Sequence, residues 1–234
     1  MRSLSIALVE PFYEVNVGHV ARVMKNFGID ELLLIKPRVD LSKARKFASH
    51  GVDILEKSKE TNFNHMVKNF DMIVGTTAIV SKKPSNIARK ASTPEDLAKN
   101  LGGFVGSVCL VFGREATGLN NKELKLCDLV VSIPTGTDYR TLNISHSVAI
   151  ILYEISKQGV ESIEERASRE DRERVIKYSM KLAKICSYKE HKIPLLRNAM
   201  KRLLAESRIS PREAYLAMGL FRKAVLALEK EKKG

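Results

Sequence analysis

Residues 133–149 read Ile-Pro-Thr-Gly-Thr-Asp-Tyr-Arg-Thr-Leu-Asn-Ile-Ser-His-Ser-Val-Ala, joining the end of a strand to the head of a helix. The apolar run DLVVSI (128–133) stops at Pro134, a polar loop follows, and from Ile144 to about Gln158 apolar residues recur at helical spacing. The same change of period repeats upstream. SIALV (5–9), ELLLI (31–35), DMIVG (71–75) and SVCLVF (107–112) are unbroken apolar runs, the pattern of strands buried on both faces of a parallel sheet. Between them the spacing predicts helices over 17–27, 62–69 and 94–101. The last opens with Thr93-Pro94-Glu95-Asp96, an N-cap, a helix-opening proline and two first-turn acids. Strands alternating with helices mean an α/β domain, expected over residues 1–158 with Gly159 as the stop of its last helix.

From about Val160 the strand pattern ends. Leu, Ala, Lys, Arg and Glu dominate, and the spacing predicts three helices, about 161–187, 194–206 and 211–231. Ser210-Pro211-Arg212-Glu213 supplies the N-cap and the N3 glutamate of a capping box. The expectation is a small all-helical extension over 159–234. That segment holds 19 basic and 11 acidic residues against 21 and 16 in the first 158, so the smaller part carries the denser positive charge. The whole chain of 234 residues has a formal charge of +13, which suits a polyanionic partner, most simply nucleic acid. No apolar run approaches the roughly 18 residues of a membrane span, and the N-terminus lacks the pattern of a secretory signal. Cys109, Cys127 and Cys186 are odd in number and widely spaced, and neither CxxC nor HExxH occurs. The expected protein is cytoplasmic, reduced and metal-free.

Three stretches break the pattern of an ordinary α/β domain, and such breaks mark candidate sites. Asn16-Val17-Gly18-His19-Val20-Ala21-Arg22 follows the first strand. Asn and Gly at a strand-to-helix turn leave a helix N-terminus open to an anion, and Arg22, early on that helix against its dipole, offers a phosphate clamp. A turn glycine and a solvated arginine are the plainer alternative. Phe112-Gly113-Arg114-Glu115-Ala116-Thr117-Gly118-Leu119 follows SVCLVF. It lacks the Lys-Ser/Thr of a P-loop, and no GxGxxG follows a strand. Arg114 and Glu115 there make either a polar site at the sheet's carboxyl edge or a salt-bridged turn. In the third stretch, Thr141, Asn143, Ser145, His146 and Ser147 crowd the head of an otherwise apolar helix, more polar groups than capping requires. His146 alone reads more readily as a hydrogen-bonded structural histidine than as a catalyst.

In this order and spacing the stretches NVGHVARVMKNFGIDELLLIKP, CLVFGREATGLNNKEL and IPTGTDYRTLNISHSVAIILYE resemble motifs 1, 2 and 3 of the SPOUT superfamily of RNA methyltransferases, within its TrmH-like branch that 2'-O-methylates ribose. The basic helical extension and the segment VGTTA (74–78) are similar to TrmJ-type tRNA methyltransferases. The resemblance implies a parallel sheet with a deep C-terminal trefoil knot, S-adenosylmethionine bound in that knot, and a homodimer with the active site at the subunit interface. It implies cofactor contacts at Thr76, Thr77, Ala78, Gly113, Ile133, Arg140, Thr141 and Leu142. The essential arginine of motif 1 matches Arg22, supported by Asn16, the glutamate of motif 2 matches Glu115, and the serine and asparagine of motif 3 fall on Thr141 and Asn143. Threonine at 141 departs from the usual Ser-Leu-Asn, keeping the hydroxyl and adding a methyl group.

Ribose methylation, the implied reaction, lines a 2'-oxygen up behind a sulfonium methyl and removes its proton. The expected roles are these: Arg22 grips the phosphate beside the ribose, Asn143 and Thr141 fix the hydroxyl and cofactor, and Glu115 holds Arg22 or the motif 3 loop. Arginine stays protonated in proteins, so phosphate or water takes the proton. The partner implied is tRNA, at position thirty-two of the anticodon loop with cytidine or uridine as target. Ribosomal RNA, another tRNA position and a non-catalytic RNA-binding module are the alternatives.

Overall fold

The apolar runs become strands β1 (Arg2–Val9), β2 (Glu31–Ile35), β4 (Met72–Thr76), β5 (Gly106–Phe112) and β6 (Leu129–Val131), joined by β3 (Lys59–Thr61). In this computed structural model residues 2–80, 91–157 and 166–231 are described. The six strands form one parallel sheet in the order β3-β2-β1-β5-β4-β6. Strand β1 sits between β2 and β5, with Ile6 opposite Leu32 on one side and Leu110 on the other. Ile6, Ala7, Leu8 and the run Val108–Val111 are wholly buried, as unbroken apolar strands must be when helices cover both faces.

The chain moves outward from β1 to β3, then returns to fill the other half of the sheet. That reversal lies between β1 and β5, and in open α/β sheets a crevice forms at the carboxyl ends of the strands where the order reverses. The helices of this part are α1 (Glu14–Asn26), α2 (Leu41–Ala48), α3 (Val52–Glu56), α4 (Phe63–Asn69), α5 (Pro94–Leu101), α6 (Asn121–Leu126) and α7 (Ile144–Lys157). Helix α5 starts as expected, with Thr93 and Asp96 in a reciprocal capping box. Helix α1 begins at Glu14, three residues before the expected start. Gly18 is therefore a packing residue within the helix: a Cβ there would come within 2.5 Å of the Ala44 carbonyl oxygen and 2.6 Å of Phe47 Cβ on α2. Arg22 falls in the second half of α1, so the conflict with the helix dipole expected for it does not arise.

The chain divides into two compact units, Met1–Ser162 and Ile163–Gly234. The expected boundary at 158/159, the stop at Gly159 and the expected helical residues 161–165 lie outside the described residues. The second unit holds α8 (Arg169–Ile185), α9 (Ile193–Glu206) and α10 (Pro211–Glu231). Helix α8 starts later than the expected 161, at a capping box between Ser168 and Asp171. The Ser210 and Glu213 side chains bond reciprocally to each other's backbone amides, as read from the sequence. Val175, Ile176, Met180, Leu204 and Ala214 form a small core. Among the described residues no helix is long and apolar enough to cross a membrane. Among the described residues there is no disulfide: Cys109 and Cys127 are buried and Cys186 is exposed.

Candidate active site

The carboxyl ends of β4, β5 and β6 open onto a cavity of about 530 Å3, within the size range of small-molecule sites. Three turns build its walls. The first links β1 to α1 and brings Asn16, the second runs 113–118 after β5, and the third is the loop from Ile133 to Asn143 that opens α7. In the second turn the Gly118 amide donates to the Arg114 carbonyl at 2.8 Å. Gly113 stands so close to the Gly118 and Leu119 backbone that any Cβ would collide with it. Glycine at 113 is thus a requirement of the turn itself, and Gly118 at φ +66° closes it in the left-handed region.

Arg114 and Glu115, adjacent in sequence, do different work. The Arg114 guanidinium donates to Glu10 at 2.5 Å and to both Glu123 oxygens at 2.9 and 3.1 Å. These bonds raise its pKa and, with Arg114 as the leading cause, lower that of Glu10. This is the salt-bridged turn. Glu115 points the other way and makes the polar site. Its carboxylate accepts from the backbone amides of Phe12 at 3.3 Å and Tyr13 at 3.4 Å, and from Asn16 Nδ2 at 3.2 Å. Phe12 and Tyr13 immediately precede α1, where helix amides point outward and a negative charge is favoured. The protein's own carboxylate thus stands beside the helix start that was expected to lie open to an external anion.

Asn16 is buried at 6% exposure on the first turn of α1. Its Oδ1 accepts from Asn143 Nδ2 at 2.9 Å, and Asn143 Oδ1 in turn accepts from the Ser145 amide at 2.9 Å and hydroxyl at 2.8 Å. The three stretches singled out in the sequence are thereby tied side chain to side chain.

Asn16, Glu115, Thr141 and Asn143 all line the cavity, as do Thr76, Thr77, Ala78, Gly113, Ile133, Arg140 and Leu142. The Thr76 hydroxyl donates to the Val111 carbonyl at 3.0 Å, and the Thr77 amide donates to the Val131 carbonyl at 2.9 Å, which anchors this segment between β5 and β6. Arg22 is the exception: it is exposed and outside the lining. Within one chain Glu115 bonds to the start of α1 and to Asn16, and among the described residues it reaches the motif 3 loop through Asn16. His146, expected as a hydrogen-bonded structural histidine, is exposed and outside the cavity lining. Ser147, one of the polar residues singled out at the head of α7, lines the cavity too, whereas the sequence reading missed Tyr13, Tyr139 and Ile151 on its wall. The Tyr139 signal was available, an aromatic residue inside a polar loop; Ile151 looked like an ordinary helix residue and Tyr13 lay before the expected helix start.

Residues 3–153 match the SpoU rRNA Methylase family. The tRNA (cytidine-2'-O-)-methyltransferase TrmJ of Methanocaldococcus jannaschii is 38% identical over 227 residues, covering 94% of this chain and 98% of that protein. The protein of the same name from Sulfolobus acidocaldarius is 30% identical over 98% of this chain and 96% of its own length. Among solved structures, TrmJ from Z. mobilis ZM4 is similar with a TM-score of 0.68 at 26% identity, over 94% of this chain and 97% of that one. The resemblance drawn from the three motifs is borne out, and the chain belongs to the SpoU rRNA Methylase family.

Proposed function

We propose that this chain is an S-adenosylmethionine-dependent RNA methyltransferase that modifies the ribose 2'-hydroxyl of cytidine in tRNA, at position thirty-two of the anticodon loop. The observation that carries the reading is the meeting of three sequence-distant polar stretches around one cavity, with Glu115, Asn16 and Asn143 bonded in series. Cytidine is favoured because the two archaeal relatives, similar along nearly the whole chain, carry it in their names. The relatives named for cytidine and uridine from Pectobacterium atrosepticum and Salmonella typhimurium match only 65% and 66% of this chain.

The lining suits S-adenosylmethionine in chemistry as well as size. Ile133 and Leu142 give apolar walls for a purine, while Thr76, Thr77 and Thr141 bring hydroxyls and the 76–78 and 140–142 segments bring backbone groups. The cofactor supplies a methyl group on a positively charged sulfur, whose departure as a neutral thioether leaves little for acid catalysis to do. Positioning is then the protein's main contribution. Asn143 and Thr141 orient the 2'-hydroxyl, Asn16 sets Asn143, and Glu115 fixes Asn16. Arg22, exposed on α1, calls for a second copy of the chain: in a homodimer Arg22 of each copy reaches the other's cavity. There its planar fork grips the phosphate beside the target ribose, and that phosphate or a water takes the proton. The same reading makes residues 1–158 the methyltransferase domain with a C-terminal trefoil knot around the cofactor. It makes the helices of 159–234 a basic extension that grips RNA backbone.

Incubation with labelled S-adenosylmethionine and separate tRNA and rRNA pools, followed by mapping of the modified nucleotide, tests the assignment. Label in tRNA at a single anticodon-loop cytidine is expected, and label in rRNA alone would overturn it. Arg22→Lys is expected to lower kcat by about a hundredfold at unchanged melting temperature, because the residue is exposed and its role rests on the bidentate fork. Near-wild-type turnover would refute that role.

A further inference from the structure

The bonds joining Ser145 to Glu115 all run in one direction. The Ser145 hydroxyl and amide donate to Asn143 Oδ1 at 2.8 and 2.9 Å, Asn143 Nδ2 donates to Asn16 Oδ1 at 2.9 Å, and Asn16 Nδ2 donates to Glu115 Oε1 at 3.2 Å. The far end is a carboxylate that also collects the amides of Phe12 and Tyr13, so it takes donors only. Turning either asparagine amide over would set oxygen against oxygen at one neighbour and donor against donor at the other: for Asn143 at Asn16 Oδ1 and the Ser145 amide, for Asn16 at Glu115 and Asn143 Nδ2. The series therefore has one permitted polarity, fixed from both ends. In that polarity each asparagine spends one N–H on the series and keeps its second, and both residues line the cavity.

Ser145 is buried at 6% exposure in the first turn of α7. Capping accounts for only half of what it does. Its backbone amide alone satisfies the bond that an asparagine N-cap accepts, whereas the hydroxyl adds a second donor to the same oxygen. We propose that Ser145 is a positioning residue for methyl transfer: its hydroxyl locks the Asn143 amide, and through it Asn16, in the orientation that presents N–H donors to the ribose. This rests on the methyltransferase reading above.

Ser145→Ala removes the hydroxyl and keeps the capping amide, which separates the two roles. In steady-state methylation of tRNA it is expected to lower kcat about tenfold, with KM for tRNA and the melting temperature nearly unchanged. Ser145→Thr, which keeps the hydroxyl, is expected to recover most of that loss. Because both ends fix one series, adding Ser145→Ala to Glu115→Gln is expected to cost far less than the product of the two single losses. Turnover of Ser145→Ala within twofold of wild type, or losses that multiply in the double variant, would overturn the proposal. A readout independent of activity is the side-chain amide signal of Asn143 in 15N-labelled protein, identified by its absence in Asn143→Asp. Faster exchange with solvent in Ser145→Ala is expected, and an unaltered signal rejects the lock. A wild-type protein that methylates no RNA would count against the proposed function, while the amide signal would still decide the lock.

Discussion

The two units bury their apolar residues to different depths. In the first, the central strands have no exposed surface at Ile6, Ala7, Leu8, Val108 and Leu110. In the second, a small core leaves Leu203, Tyr215, Leu216 and Leu220 each about 60–70% exposed on their helices. On the proposed function the contrast matches the demands of two kinds of work. A series of hydrogen bonds that must hold its polarity needs rigid walls, since a small misplacement forfeits much of the benefit of positioning. Contacts to RNA phosphates are long-ranged and tolerant of geometry, so a looser helical unit with dense positive charge can make them.

A methyl group added to a glycine in each unit tests the contrast most directly. Gly113→Ala in the first unit drives a Cβ into the Gly118 and Leu119 backbone. It is expected to cost about 3 kcal/mol, to lower the melting temperature by about 6–12 °C, and to abolish cofactor binding by calorimetry. A tolerated alanine would break the claim that this unit is packed without slack. Next in size is the loss of charge in the second unit. Replacing the exposed Arg222 and Lys223 of α10 by glutamine is expected to flatten the dependence of log affinity for tRNA on log salt by about two units, with kcat at saturating tRNA unchanged. An unchanged slope would remove this helix from the RNA contact. The smallest effect is the counterpart of the first: a Cβ at Gly219, within α10, meets nothing within 4 Å. Gly219→Ala is expected to stabilise by about 0.5–1 kcal/mol, measured by denaturant unfolding.

The elements legible in the sequence were those with one strong local cause. The strand runs appear where they were read, α10 has the bounds expected, and α5 begins at its capping threonine. Strand β3 was invisible because Lys59-Glu60-Thr61 is a polar edge strand with little burial, so it carries no apolar signature. Helix α2, with only Ala44 and Ala48 buried, gave a similarly faint pattern. The strand order was out of reach, because pairing residue 2 with residue 106 leaves no mark in any local window. At the site, residue types and spacing marked the right stretches, but a side chain's direction is a tertiary property. Arg114 and Glu115 are neighbours in sequence, and only the packed structure separates the arginine that braces a turn from the glutamate that faces the cavity. Gly18 shows the converse: a glycine expected to open a turn is needed instead where two helices touch.

The pairing of β1 with β5 also sets when the site can form. Strand β1 is complete at residue 9, while its inner neighbour begins at residue 106, so a chain emerging from the ribosome exposes one edge of β1 for about a hundred residues of synthesis. Pairings this distant in sequence close late and slowly, and an uncovered apolar strand edge is a template for association with other chains. Glu115 and Asn16 meet only once that gap has closed. The cavity is therefore a late product of folding, and conditions that slow closure will reduce the yield of soluble protein before they affect the turnover of molecules already folded.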